Sequence, residues 1–265
     1  MSIKVIVTGA AGRMGQETIR TILNEDDINL VSAIGRSKSD SIGRDIGELV
    51  GYGKANVNLT DNLKEALQRT KPDVMVDFTV PDAVYANACL AIECGISPII
   101  GATGLSSQDI EDLDKKAKFA GCSVLVAPNF AIGALLLIHT AKKAANYFDN
   151  VEIIELHHDK KVDAPSGTAI KTAKELAKIK KFNQEEFSTN SPARGENMDS
   201  IRVHSVRLPG LVAHQEVIFG GIGQTLSIKH DTINREAFMP GVVIAIKEIG
   251  KHKGLIYGLE NLLDL

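Results

Sequence analysis

The stretch IKVIVTGAAGRMG, residues 3 to 15, decides the reading of this 265-residue chain. An apolar run ends at Thr8, and glycines stand at positions 9, 12 and 15 before a helical pattern continues through Met14, Ile19 and Ile22. Glycine permits a tight strand-to-helix turn and lets the backbone approach a pyrophosphate, whose charge then rests on the helix N-terminus. The spacing is G-x-x-G-x-x-G rather than G-x-G-x-x-G. The strand-glycine-helix context therefore carries the inference of a dinucleotide site, against the alternative of a glycine turn with no ligand.

Outward from that turn, strands and helices alternate. INLVSAIG, PDVMVDFT, SPIIGATG and CSVLVAPNF read as strands; DNLKEALQRT, AVYANACLAIECG and SSQDIEDLDKKAKFAG, opened by Ser106 or Ser107, read as helices. Strands that are nearly all apolar indicate a parallel sheet covered on both faces. After Pro128 the pattern changes. A long helix (AIGALLLIHTAKKAANYF), a strand (VEIIEL) and a helix (TAIKTAKELAKI) lead to a polar loop over 181–200. Three strands with glycine-bearing turns follow: SIRVHSVRL, VAHQEVIFG and QTLSIKH. The predicted fold is an α/β Rossmann-type dinucleotide-binding domain, residues 1–128 and 240–265, plus an α+β domain with an open mixed sheet, residues 129–239. No internal repeat or low-complexity segment is present.

Composition excludes several classes. A net charge of −3 with 24% charged residues lacks the basic excess of a nucleic-acid binder. No apolar run approaches the roughly 20 residues of a membrane span, and the N-terminus lacks signal-peptide anatomy, so a cytoplasmic enzyme is expected. Cys89, Cys94 and Cys122 have no metal-site spacing and read as small buried hydrophobes in a reducing compartment.

Two features narrow the chemistry. An NAD enzyme usually offers an acid to the ribose about 20 residues after the glycine turn. Here the second strand ends in AIGRSKSD, with Gly35 where the carboxylate would stand and Arg36 beside it. Arg36, aided by Lys38, suits a 2′-phosphate and points to NADPH, with NADH left open; Asp40 could serve the ribose, or both cations could be solvated loop charges. TGAAGRMG also suits short-chain dehydrogenases, but none of the four tyrosines is followed four residues later by lysine, which removes that class.

The densest chemistry is HHDKKVDAPSGTA, residues 157–169, where a strand hands over to a helix. Adjacent strand residues face opposite ways, so one of His157 and His158 reaches a given centre. Lys160, Lys161 and Asp163 follow; Pro165 stiffens the turn, and Ser166, Gly167 and Thr168 open the helix. Free amides, two hydroxyls and no bulk at Gly167 make a carboxylate site, while ordinary capping accounts for the serine and threonine alone. A histidine and an ammonium beside it can bind a second acid or donate a proton. His139 reads as a helix residue, and His204, His214, His230 and His252 carry no local constellation. No metal is expected, because the histidines lack acidic or cysteine partners at useful spacing.

Through VTGAAGRMG, VDFTVPDAV, GATGLS, APNFAIG, HHDKKVDAPSGTA and HSVRLPGLVAHQEVIFGGIGQTLSIKHD, the chain resembles the 4-hydroxy-tetrahydrodipicolinate reductase (dihydrodipicolinate reductase) family over essentially its whole length. The resemblance implies hydride transfer from NAD(P)H to a cyclic unsaturated dicarboxylate, giving tetrahydrodipicolinate in the lysine and diaminopimelate route. It implies His157 as proton donor or acceptor and Lys161 as a second proton donor. Substrate would be bound by His158, Gly167 and Thr168, with Ser166 beside them, and by Thr103. Cofactor would be lined by Gly9, Ala10, Ala11, Gly12, Arg13 and Met14, by Gly101, Ala102 and Thr103, and by Ala127, Pro128, Asn129 and Phe130, with Arg36 at the NADP phosphate. Some members carry an acid where Gly35 stands, which sets this chain apart for NADH use. The family is a cytoplasmic homotetramer built through the second domain's sheet. Two rivals are another amino-acid dehydrogenase of the Rossmann class and a non-catalytic NADPH-sensing regulator.

Overall fold

The computed structural model describes residues 2–183, 191–263 and 265. Along the chain its strands are β1 (Ile3–Thr8), β2 (Ile28–Ile34), β3 (Leu59–Thr60), β4 (Val74–Asp77), β5 (Ser97–Ile100), β6 (Ser123–Val126), β7 (Asn150–His157), β8 (Glu196–Met198), β9 (Ile201–Arg207), β10 (Ala213–Gly221), β11 (Gln224–Thr232) and β12 (Gly254–Tyr257). The helices are α1 (Arg13–Ile22), α2 (Ile46–Leu49), α3 (Leu63–Thr70), α4 (Pro81–Glu93), α5 (Ser107–Ala120), α6 (Ile132–Ala144), α7 (Gly167–Ala177), α8 (Met239–Glu248) and α9 (Leu259–Leu262). The chain divides into two units, Met1–Phe130 with Phe238–Leu265, and Ala131–Ala237.

The first unit holds a seven-stranded parallel sheet in the order β12-β6-β5-β4-β1-β2-β3. Val5, Ile6 and Val7 are all fully buried. Successive side chains point to opposite faces, so both faces of β1 are covered. On one face, Ile6 and Met75 pack with Leu63, Ala66 and Leu67 of α3, and Val124 with Val84, Ala88 and Leu113 of α4 and α5. Helix ends follow local chemistry. Ser106 caps α5 in a reciprocal box with Asp109, and Gly121 ends it in the left-handed region at φ 73°. The sequence pattern missed α2, β3, β12 and α9, which are two to four residues long. Such pieces are too short to show a period.

The second unit is a five-stranded sheet in the order β11-β10-β7-β9-β8. Only β7 and β9 run parallel; the other pairs are antiparallel, so the sheet is mixed as expected. Leu137, Ile138 and Ala141 of α6 and Ala173 and Leu176 of α7 bury one sheet face over Ile153, Val203, Val217 and Phe219. The loop expected over 181–200 is corrected at its end, where β8 pairs with β9; residues 184–190 lie outside the described residues. The cysteine expectation holds for Cys122 alone: it is buried, Cys89 is half-buried, and Cys94 is exposed. No helix among the described residues is long and apolar enough to cross a membrane.

Candidate functional site

In the first unit, parallel pairing brings the C-terminal ends of β1, β4, β5 and β6 to one edge. Backbone bonds extend the ladder past the strands, from Phe78 to Thr8, Gly101 to Asp77 and Ala127 to Ile100, at 2.9–3.1 Å. Chain direction across the sheet reverses between β1 and β4, which is where open α/β sheets hold ligands. Gly9 sits at φ 72°, and a Cβ there would lie 2.6 Å from the Phe78 carbonyl oxygen. A Cβ on Gly15 would lie 2.2 Å from the Gly9 oxygen, so α1 starts hard against the turn. Gly12 supplies no side-chain cap, and no acid stands in the first turn of α1. The positive helix end is thus left to an external anion, and a dinucleotide pyrophosphate fits it.

The remaining cofactor candidates lie along the same edge. Ala10 is buried, while Ala11, Gly12 and Arg13 are exposed and Met14 is half-buried. Gly101 is glycine for a packing reason, because a Cβ would strike the rings of Phe78 and Phe130. Those rings meet edge to face at 5.8 Å. Ala102 and Asn129 are half-buried, Thr103 and Pro128 exposed, and Ala127 buried. Arg36 is exposed just past β2. Gly35 donates its N–H to Thr60, and a Cβ there would crowd Leu59 to 2.9 Å. The absent acid thus has a packing counterpart in Leu59.

Sequence reading missed Asp77 and its neighbours. Its buried carboxylate accepts from the Thr79 N–H at 2.7 Å, from the Thr79 hydroxyl at 2.5 Å and from Asn87 Nδ2 at 2.9 Å. It fixes the turn that presents Phe78. The available signal was a lone acid ending an apolar strand.

In the second unit, β7 delivers His157 and α7 delivers Ser166 to Thr168. Period-two alternation puts Val151, Ile153, Glu155 and His157 on the face that α6 and α7 cover. Glu155 is fully buried and was not anticipated. Its Oε1 accepts from Arg207 Nη2 at 2.8 Å and from the Ser166 N–H at 3.1 Å. Its Oε2 meets Arg207 Nη1 at 2.9 Å and His157 Nδ1 at 2.5 Å. Burial pushes the Glu155 carboxyl up, but hydrogen bonds from Arg207, Ser205 and His157 outweigh it and hold the group below the usual range. Burial, with the charges of Lys161 and Arg207, pushes His157 below its ordinary value despite Glu155.

Lys161 Nζ meets both Asp163 oxygens at 2.7 Å, and Asp163 is largely exposed. Exposed pairs of this kind contribute about 0–1 kcal/mol, so an incoming carboxylate can take the ammonium over. Ser166 is buried, its Oγ accepting from the Ala169 N–H to cap α7. Gly167 is exposed, and a Cβ there would meet nothing within 4 Å among the described residues. Protein packing does not demand glycine at 167, whereas a ligand seated on the helix start would. Thr168 is half-buried, and His158 and Lys160 are exposed. Two histidines without an expected constellation have carboxylate partners on neighbouring strands: His204 with Glu152 and His214 with Asp231, each at 2.7 Å. Among the described residues no group of three histidine, cysteine or acidic side chains is placed to hold a metal ion.

These titrations set a pH dependence. His157 and His230 are both held below 6.5, chiefly by burial, so below that pH the unfolded chain binds more protons than the folded one. Stability falls as pH drops from 6.5 through the folded-state values. Glu155 then adds a loss, because its contribution is present above 4.5 and disappears as pH falls through its lowered value. Calorimetry should show Tm declining already between about pH 7 and about pH 5.5; a flat Tm there would refute buried neutral histidines.

The family model "Dihydrodipicolinate reductase, N-terminus" matches residues 3–130, and "Dihydrodipicolinate reductase, C-terminus" matches residues 133–263. A 4-hydroxy-tetrahydrodipicolinate reductase of Moorella thermoacetica is 50% identical, covering 99% of this chain and 98% of its own. One from Synechococcus elongatus is 48% identical, covering 98% of each. The solved structure of a dipicolinate-bound dihydrodipicolinate reductase from Paenisporosarcina sp. TG-14 superposes with a TM-score of 0.87 at 39% identity, over 98% of this chain and 99% of that one.

Proposed function

The chain belongs to the dihydrodipicolinate reductase family, and from that premise we propose that it reduces its substrate with NADPH in preference to NADH, through His157 and Lys161. The reaction is the reduction of 4-hydroxy-tetrahydrodipicolinate to tetrahydrodipicolinate in lysine and diaminopimelate biosynthesis. The rivals, another amino-acid dehydrogenase or a non-catalytic regulator, give no account of two family models that together span the chain.

The observation that carries the residue assignment is the α7 start. Gly167 leaves open space at a helix N-terminus, with His157 ending β7 and Lys161 on the loop that leads from it to α7. One substrate carboxylate sits on the α7 amides with Thr168 and His158 beside it, and Lys161 leaves Asp163 for the other. When bound, the nicotinamide supplies the hydride. The chain handles the proton, with Lys161 as a donor and His157 as donor or acceptor. Gly9 to Met14, Gly101 to Thr103 and Ala127 to Phe130 line the cofactor, and Arg36 pairs with the 2′-phosphate. Thr103 is assigned to substrate binding as well.

The test is loss of reduced-nicotinamide absorbance, with substrate generated in situ from pyruvate and aspartate semialdehyde by its synthase. NADPH should be consumed faster than NADH, and Arg36→Ala should raise KM for NADPH about tenfold while leaving NADH unchanged. Equal wild-type rates would discard the coenzyme assignment and keep the reductase.

The partner in this reading is the cyclic dicarboxylate, with no nucleic acid and no membrane, and the compartment is the cytoplasm. We also infer a homotetramer through the second unit's sheet. Its support is β11, a nine-residue edge strand with most of its residues exposed. Light scattering at one chain mass would overturn it.

A further inference from the structure

Glu155 is the buried charge on which the second unit's chemistry converges. It lies on β7, two residues before His157, and its salt partner Arg207 comes from the end of β9, 52 residues away. Its two oxygens accept two hydrogen bonds from Arg207, one from the Ser166 N–H and one from His157 Nδ1, and the Ser205 side chain adds a further one. Arg207 Nη2 also donates to the Asp163 carbonyl at 2.7 Å. Through these bonds one carboxylate ties down Ser166 at the end of the 158–166 loop, Asp163 within it by way of Arg207, and the ring before it. The arrangement is not explained by stability alone. Arg207 Nε is buried without a partner among the described residues, a cost of about 1–3 kcal/mol that an apolar pair of similar size would avoid.

The chemistry of the contact is directional. An ionised carboxylate only accepts, so the His157 nitrogen facing it must carry a hydrogen. That leaves Nε2 as the nitrogen able to gain or lose a proton. We propose that Glu155 is a positioning residue for the reduction: it fixes His157 as the Nδ1–H tautomer, so that Nε2 exchanges the reaction's proton, and with Arg207 it holds the loop carrying Lys161. This rests on His157 being the proton-exchanging residue. Other parts of Glu155's role follow from position. The Ser166 N–H that it binds lies at the N-cap of α7, so the same carboxylate aligns the anion site with the histidine.

The first readout is taken on the wild-type chain. Histidine-selective 15N NMR of the full chain at neutral pH, with His157 assigned among the seven histidines by the signal lost in His157→Gln, reports the tautomer directly. Nδ1–H is expected in the wild type; Nε2–H would overturn the proposal. Glu155→Gln should then give a mixed tautomer and lower kcat about 10²-fold, with KM for NADPH unchanged. The groups acting on His157 are Glu155, Lys161 and Arg207, with Asp163 on Lys161. Removing the one carboxylate in direct contact leaves two cations, so the His157 ionisation in the kcat–pH profile should move to lower pH. Glu155→Asp keeps the charge and should recover part of kcat and return the profile towards wild type.

A folded Glu155→Gln protein with wild-type kcat and profile would overturn the proposal. So would a loss of kcat with an unmoved profile. If Glu155→Gln does not fold, the wild-type tautomer and Glu155→Asp still decide. Failure of the function itself reads differently: wild-type protein would then oxidise neither coenzyme, whatever tautomer the spectrum shows.

Discussion

Lys161→Ala is expected to lower kcat/KM by on the order of 10⁴, with kcat reduced and KM for the dicarboxylate raised. The two effects have separate origins. A charge-assisted hydrogen bond to a carboxylate contributes about 1.5–3 kcal/mol, or roughly 10- to 150-fold in binding. Loss of a positioned proton donor adds about 10²–10⁴ in turnover. Neither is offset by the loss of the Asp163 contact, since Asp163 is largely exposed and a pair open to solvent on one side is weak. Lys161→Arg separates the terms. Guanidinium keeps the charge but does not release a proton near neutrality, so KM should recover most of its value while kcat does not. Steady-state kinetics with the cofactor saturating makes the measurement. Turnover restored by arginine would reduce Lys161 to a binding residue, and an unchanged rate in the alanine variant would remove it from the site altogether.

The parts of this molecule that could be read from sequence are those whose cause is local. The β1–α1 turn shows itself because glycine spacing is a local steric requirement, met here by Gly9 at φ 72° and by Gly15 against the Gly9 carbonyl. The α7 start shows itself because a Ser-Gly-Thr cap after proline is a local hydrogen-bonding pattern. Glu155 and Arg207 did not, although half the signal was present. In VEIIELHH the alternation that buries Val151 and Ile153 also buries Glu155. A carboxylate there requires a cation, but which one depends on the register of β9 against β7, where Arg207 falls opposite His157. Register is a tertiary fact.

Gly35 makes the same point from the other side. Read along the chain it marks a missing acid; read in three dimensions it leaves room for Leu59 of β3, a two-residue strand too short to announce itself. The cofactor residues are intermediate. Each stands after a recognisable strand, yet only the order β6-β5-β4-β1 puts residues 127, 101, 78 and 9 on one edge. Alternating strands and helices imply a parallel sheet, which implies a shared edge; they do not say that Asp77 and Phe78 organise it.

Two glycine-to-alanine substitutions, one in each unit, should therefore fail in opposite ways. In Gly15→Ala the new methyl would stand 2.2 Å from the Gly9 oxygen and 2.8 Å from the Ala10 Cα, both backbone atoms. No rotamer relieves that contact, so α1 must move away from the turn. Overpacking of this kind costs about 1–3 kcal/mol, which for a chain of this size lowers Tm by roughly 2–12 °C. Displaced amides also lose the pyrophosphate, and NADPH affinity measured by fluorescence should fall about 10²-fold. In Gly167→Ala the methyl enters open space at an ordinary negative φ, so Tm should stay within about 1 °C. Substrate KM should nevertheless rise about tenfold, because the methyl occupies room the carboxylate needs. A drop in Tm for Gly167→Ala would make that glycine structural and remove the main support for the anion site. Full NADPH affinity and full Tm in Gly15→Ala would mean that α1 has slack at its first turn, and the tight strand-to-helix packing on which the cofactor assignment depends would have to be abandoned.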